Sequence, residues 1–463
     1  MFAKMPDSRS KAPALRWAEQ AIILFGGIRF IMEMKIFLSV SIALFAGLML
    51  TRVFKKLGFN FPDVTAFLIA GLLIGPYGIG RIGLRGVGFS SYADVTSVGL
   101  INEMALGFIA FSIGSEFRLE ELKHTGKAAT VIGIFQAVVA TLLVDTVLIA
   151  LHFVLGESVL PLKVAIVMGA IASATAPAAT LMVVRQYKAN GPLTKLLLPI
   201  VALDDAVGLV IFSISFGIAQ AMQVGKLDVI SIVVNPILEI VFSLLLGGGL
   251  GFILSKIEKL FYSNSNRLSM TISFVIMTIA LSYLKIPLGA AEISFSTLLV
   301  CMMLGTVFCN TSEYSEDIMR RAEKWTAPLN ATFFVLSGAA LDLSVFANIV
   351  YVLIGITYIL SRSLGKYLGA RFSAQAMKCP HNVVKYLGIT LLPQAGVALG
   401  MVNQASVLGG VDASIIRNVT LFGVLIYELF GPLLTRNALR DAGEIAPIPD
   451  HKKDRQRFQT NAQ

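Results

Sequence analysis

The chain has 463 residues, 56% of them hydrophobic and 14% charged, with a mean hydropathy of +0.78. Globular domains run at about 45–50% apolar and about a quarter charged, so this balance excludes a soluble enzyme or binding module and points to an integral membrane protein. The net charge of +10 does not imply a nucleic-acid partner, because the basic residues collect in short loops between apolar runs, where they report topology.

Within residues 1–33, Trp17 to Ile31 is apolar but short and contains Glu19 and Arg29. It reads as an upstream extension or an extra helix. No small-residue cleavage site follows it, which argues against a signal peptide. From Met34 the hydropathy predicts about thirteen spans by the ~20-residue criterion: 34–54, 62–80, 95–117, 127–153, 162–184, 193–221, 229–255, 268–285, 292–310, 325–342, 345–371, 383–408 and 414–435. A polar tail, 441–463, follows. One set of connections is basic, beginning with Arg52, Lys55 and Lys56 and continuing with Arg118, Lys123 and Lys127. The other set carries only Arg81, Arg85, Lys163, Lys226, Lys285 and Arg417. That bias places the basic loops and the C-terminus in the cytoplasm. The three cysteines lack metal-ligand spacing and the four histidines lie at or beyond span ends, so no metal centre and no cofactor is predicted.

Spans five and six hold the chemistry. Span six carries Asp204 and Asp205 side by side in an apolar run, and span five is interrupted at Ser173-Ala174-Thr175-Ala176-Pro177. A carboxylate at membrane depth costs several kcal/mol and usually marks an ion or proton path. A proline-broken helix frees backbone carbonyls that can coordinate a cation. An odd span count allows two inverted repeats, spans one to six and eight to thirteen, joined by span seven. Pro177 in span five and Pro393 in span twelve, within LGITLLPQAGVALGM, then fall at corresponding positions. Arg362, deep in span eleven, requires an anion, and Asp204 or Asp205 is the expected partner. Lys366, one turn later, is expected to snorkel towards the cytoplasm. Glu116, Gln394 and Glu428 are weaker site candidates. GGGLG at 247–251 reads as close helix packing, and no nucleotide-binding fingerprint occurs.

PDVTAFLIAGLLIGP (62–76), FIAFSIGSEF (108–117), SATAPAAT (173–180), ALDDAVGL (202–209), FFVLSGAALDL (333–343), SRSLG (361–365) and IYELFGP (426–432) together resemble the cation:proton antiporter superfamily over 34–440. The likeness is to bacterial sodium or potassium/proton antiporters of the Kef-related branch without their soluble regulatory domain. The resemblance implies an all-α fold with two crossing discontinuous helices, spans five and twelve. It implies a homodimer whose dimerisation part is 34–117 and 229–342 and whose mobile core is 126–221 and 345–437, in a bacterial plasma membrane. It further implies that Asp205 binds the cation (Na⁺, or else K⁺ or Li⁺) and the exchanged protons, that Asp204 pairs with Arg362, and that Ser173 and Thr175 line the crossing. The chemistry is independent of the family: a proton and a cation compete for one buried carboxylate, so a carrier that reorients only when that charge is neutralised must exchange them. A permanent Arg362–Asp204 pair would leave one proton per cation, on Asp205. A cation channel with the same acids, a transport-deficient sensor and an anion symporter are the rival readings; no filter-like loop favours the first.

Overall fold

The computed structural model describes residues 37–59, 61–79, 88–115, 117–224, 234–288, 291–341 and 343–445. The N-terminal 1–33 and Glu116 lie outside the described residues, as does the tail from 446 onward. The first half comprises α1 (Phe37–Lys56), α2 (Asp63–Ile74), the short α3 (Tyr92–Ser97), α4 (Gly99–Ser115), α5 (Leu119–Leu155), α6 (Leu162–Ile171), α7 (Pro177–Gln186) and α8 (Pro192–Val224). After α9 (Asn235–Ile257) come α10 (Asn264–Ser282), α11 (Thr297–Thr311), α12 (Ser315–Ala339), α13 (Ile349–Ala376), α14 (His381–Thr390), α15 (Gly396–Ala405) and α16 (Gly410–Asp441).

Helices fall over each of the predicted spans. Length and apolarity alone mark six of them, among the described residues, as able to cross a bilayer, and several others are shorter apolar helices. One departure from an all-helical chain lies between α10 and α11. There an antiparallel ribbon of β1 (Ile286–Leu288) and β2 (Ala291–Ile293) pairs Ile286 with Ile293. Pro287 and Gly289 interrupt the helical pattern at that point, and both are poor helix formers.

Helix starts follow local chemistry. The Asn348 side chain accepts from Val350 N (3.0 Å) and Tyr351 N (3.4 Å) at the start of α13, satisfying donors that an N-terminus leaves open. Pro177 is the first residue of α7, where its missing N–H costs nothing.

Close approach rests on small residues, as expected where lipid supplies no hydrophobic drive between helices. A Cβ on Gly365 or Gly369 of α13 would lie 2.7 Å from the Cα of Ala140 or Gln136, so α13 rests directly on α5. Gly71 and Gly338 bring α2 onto α12 at Val335 and Leu68, and Gly114 and Gly305 do the same for α4 and α11. Gly247 and Gly251, in the glycine run, meet the backbone of α11 at Val300 and Leu304.

One apolar core gathers Val144, Met168, Phe212, Tyr358 and Val419, from α5, α6, α8, α13 and α16. Another gathers Phe108, Leu254, Phe274, Leu304 and Ile318, from α4 and α9 to α12. Between them Leu68 and Val335 pack with Ala179 and Ala202, so α2 and α12 face α7 and α8.

Candidate functional site

Both expected interruptions are real breaks in the backbone. Between α6 and α7, residues 172–176 are non-helical, and between α14 and α15, residues 391–395 are non-helical. Each break carries its proline, Pro177 and Pro393. Pro199, Pro328 and Pro432 lie inside α8, α12 and α16, which continue through them. The breaks cross and hold each other: Ala176 N donates to Pro393 O at 2.8 Å, and Thr175 Oγ1 reaches Leu391 O at 3.4 Å.

Breaking a helix in a water-free layer leaves carbonyls without partners. Here side chains of α13 and the second break supply them. Arg362 donates Nε to Ala172 O (3.0 Å), Nη2 to Ala174 O (2.6 Å) and Nη1 to Leu392 O (2.8 Å). Its guanidinium also lies 4.5 Å from the ring centre of Tyr427. Gln394 Nε2 donates to Ile171 O and to Tyr358 Oη, both at 2.9 Å. One planar cation therefore ties the carbonyl ends of both half-helices, where the helix dipoles are negative.

Asp204 sits beside this crossing with no exposed surface. Its Oδ2 accepts from Thr175 Oγ1 at 2.5 Å and from Lys366 Nζ at 3.0 Å. Its Oδ1 accepts from the Gln136 amide. Lys366 Nζ also reaches Ser173 O (2.5 Å) and Thr175 Oγ1 (2.9 Å). Two expectations are corrected here. The ion-pair partner of Asp204 is Lys366, not Arg362, and Lys366 does not snorkel but is as fully buried as Arg362. The reason is geometric. Residues 362 and 366 lie one turn apart on one face of α13, and Gly365 and Gly369 press that face against α5. A forked guanidinium matches three divergent carbonyls, whereas an ammonium, a compact point charge, fits a carboxylate and a carbonyl.

The remaining predicted residues distribute as follows. Ser173 is buried; its hydroxyl donates to Ala170 O at 2.7 Å, and its carbonyl serves Lys366. Asp205 follows Asp204 in α8, and its side chain lies outside the described residues. Glu428 is buried in α16, and its Oε2 has no hydrogen-bond partner among the described residues. Gln136 and Tyr358 were not anticipated. Gln136 could have been noticed as an amide in the apolar run GIFQAVVATLLV; Tyr358 carries no such signal. An unanticipated acid, Asp145, lies in α5 against Gly169 of α6, and its Oδ1 is buried and unpartnered among the described residues. A cation entering the crossing would find oxygen ligands in the Asp204 carboxylate, Thr175 and the freed carbonyls. No grouping of three His, Cys, Asp or Glu occurs among the described residues.

Crossed broken helices with a buried ion pair at their junction, in a multi-pass helical chain, define a secondary transporter. The comparisons agree. The family described as sodium/hydrogen exchanger, transmembrane, matches residues 40–436. The chain belongs to that family, which comprises membrane transporters and not enzymes. Two solved structures of the sodium proton antiporter MjNhaP1 from Methanocaldococcus jannaschii share its fold. One, at pH 8, is 19% identical with a TM-score of 0.62, covering 89% of this chain and 97% of that one. The other, an electron microscopy structure, is 20% identical with a TM-score of 0.65, covering 88% and 98%. No curated protein sequence matches the chain.

Proposed function

We propose that the protein exchanges a monovalent cation, Na⁺ before K⁺ or Li⁺, for protons by alternating access at the Asp204–Asp205 pair. The observation that carries this reading is the fully buried Asp204–Lys366 pair at the crossing of two broken helices. Ions buried without water must be paired and hydrogen-bonded to be tolerated, and this pair is tied into both Thr175 and the Ser173 carbonyl. Asp205 is the group on which cation and proton compete. The family match and the shared fold support the class of transport. The choice of Na⁺ rests on the resemblance.

Lys366 in place of Arg362 changes the coupling. A guanidinium keeps its proton, so an Arg362–Asp204 pair gave one proton per cation. An ammonium can give up its proton inside a protein, so Lys366 becomes a second proton carrier beside Asp205, and exchange moves net charge. In proteoliposomes loaded with a pH-sensitive dye, a Na⁺ gradient is expected to drive proton flux, with Li⁺ and K⁺ gradients giving the ion order. A membrane voltage alone is expected to drive Na⁺ accumulation. Lys366→Arg, which keeps a cation beside Asp204 but cannot give up its proton, should remove the voltage response. Proton movement with none of the three cations would refute exchange. Exchange that ignores voltage in the unaltered protein would refute the role of Lys366 alone.

We further propose a homodimer built on α1 to α4 and α9 to α12, with the segments holding the crossing moving against it, in a bacterial plasma membrane with the C-terminus cytoplasmic. The support is the family resemblance. Native mass measurement in lipid-like detergent is expected to give the dimer mass. A monomer that remains fully active after reconstitution would contradict the dimer.

A further inference from the structure

A second feature lies away from the crossing, between the N-terminal parts of α10 and α12. A groove of about 510 Å³ is lined by Ser265 and Leu268 from α10 and by Arg320, Arg321, Lys324 and Trp325 from α12. Both helices change character at this level. Arg267 is the last charged residue of α10 and Lys324 the last of α12. The groove therefore opens where the chain passes from water to hydrocarbon, on the side where the basic loops gather. Trp325 stands at its inner edge, 42% exposed, and leans on Phe108 with ring centres 5.3 Å apart. An indole at that depth is the common occupant of a membrane interface.

The charges do not cancel. Asp317 is the acid shared by two of the cations: Arg321 Nε bonds it at 3.0 Å, and Arg320 also reaches it. Hydrogen bonds from Arg321 and Arg320 hold the Asp317 carboxyl below the usual carboxylate range, so it stays ionised. Glu323, on the neighbouring face, is committed to Arg185 at 3.1 Å. Lys324 makes no ion pair among the described residues. Glu316 reaches Arg118 at 4.0 Å, so of the charges at the groove three cations face one acid, Asp317, and the mouth is positive. Below it the row Leu268, Ile272 and Ile276 continues along α10, and Ile276 is 40% exposed.

We propose that this groove binds the headgroup of an anionic phospholipid, with Arg321 and Lys324 at its phosphate, Trp325 at the glycerol level and an acyl chain along Leu268, Ile272 and Ile276. A basic pocket between helices at the headgroup level, continuous with an apolar lane, complements a lipid and not a soluble anion, which has no use for the lane.

The chain has two tryptophans, so Trp17→Phe leaves Trp325 as the only indole reporter. This protein is reconstituted in phosphatidylcholine vesicles doped with brominated phosphatidylglycerol or brominated phosphatidylcholine, and Trp325 emission is read. Each basic residue near an anionic lipid is worth about a factor of five in binding. Brominated phosphatidylglycerol is therefore expected to quench at a mole fraction lower by at least about 5-fold. Adding Arg321→Gln and Lys324→Gln should make the two lipids quench alike, while cation exchange in the same vesicles continues and reports a folded protein. The exposed pair Arg52→Gln and Lys56→Gln should leave the preference intact. Equal quenching by the two lipids before any charge is removed overturns the proposal, as does a preference that survives removal of Arg321 and Lys324. So does a saturating emission change on adding inorganic phosphate to pure phosphatidylcholine vesicles without any lipid preference, which would assign the groove to a soluble anion.

Discussion

Asp205→Asn is expected to lower cation-coupled proton flux by about 100-fold or more while leaving the protein folded. An amide has the shape of the acid but neither holds a proton at physiological pH nor carries charge to a cation. A charge-assisted contact is worth about 1.5–3 kcal/mol; at about 1.4 kcal/mol per decade, the upper end of that range alone supplies two decades. Loss of the titrating group removes the proton side of the exchange as well. The neighbouring Asp204→Asn is a different experiment, because it leaves the Lys366 ammonium buried without its counter-ion. Stranding one member of a buried pair costs about 3–5 kcal/mol, so that variant confounds transport with folding. Dye-quenching flux in proteoliposomes, normalised to folded protein by size-exclusion elution, measures the Asp205 effect. Exchange at ordinary rates in Asp205→Asn would remove Asp205 from the site.

The second large effect is on stability, and it belongs to Arg362. Truncation to Ala strips three carbonyls, those of Ala172, Ala174 and Leu392, of their donors in one step. Each buried unsatisfied group costs about 1–3 kcal/mol, so a loss of about 3–6 kcal/mol is expected after some water enters the cavity. Arg362→Lys should fall between, because one ammonium cannot span three divergent acceptors. Thermal unfolding in detergent checks the order. The roles of the two cations separate in double variants. Adding Asp204→Asn should rescue much of the loss in Lys366→Ala, since the stranded carboxylate disappears, but none of the loss in Arg362→Ala. Rescue of Arg362→Ala by Asp204→Asn would restore the Arg362–Asp204 pair as the correct assignment. A loss under about 1 kcal/mol for Arg362→Ala would show that the carbonyls are satisfied without it.

Much of this protein was legible in its sequence because the information is local. Runs of apolar residues locate the helices, since every peptide group in hydrocarbon must bond within its own helix. The bias of basic loops, the acid pair in span six and the two prolines at corresponding positions are all readable without coordinates. The motifs around them name the family. The short ribbon at 286–293 was hidden because it interrupts an otherwise apolar pattern over only a few residues.

Three matters depended on which helix faces which. Pro199, Pro328 and Pro432 lie inside helices that continue through them, whereas Pro177 and Pro393 stand at open breaks. There Arg362, Lys366, Gln394 and Ala176 N take up carbonyls released by both chain segments, and no local rule announces such partners. Gln136 joins the site from 68 positions away in the chain, visible beforehand only as one amide in an apolar run. The choice between Arg362 and Lys366 could not be made from spacing, because the two lie on the same face one turn apart. Depth in the span favoured Arg362. The tertiary structure decided otherwise: Gly365 and Gly369 let α13 settle onto α5, both cations then reach the crossing, and donor geometry sorts them. The fork takes the carbonyls and the single ammonium takes Asp204. Sequence determined that a buried cation would meet a buried acid here, because neither is tolerated alone in hydrocarbon. Only packing determined which cation it is, because that depends on distances of a few ångströms between helices far apart in the chain.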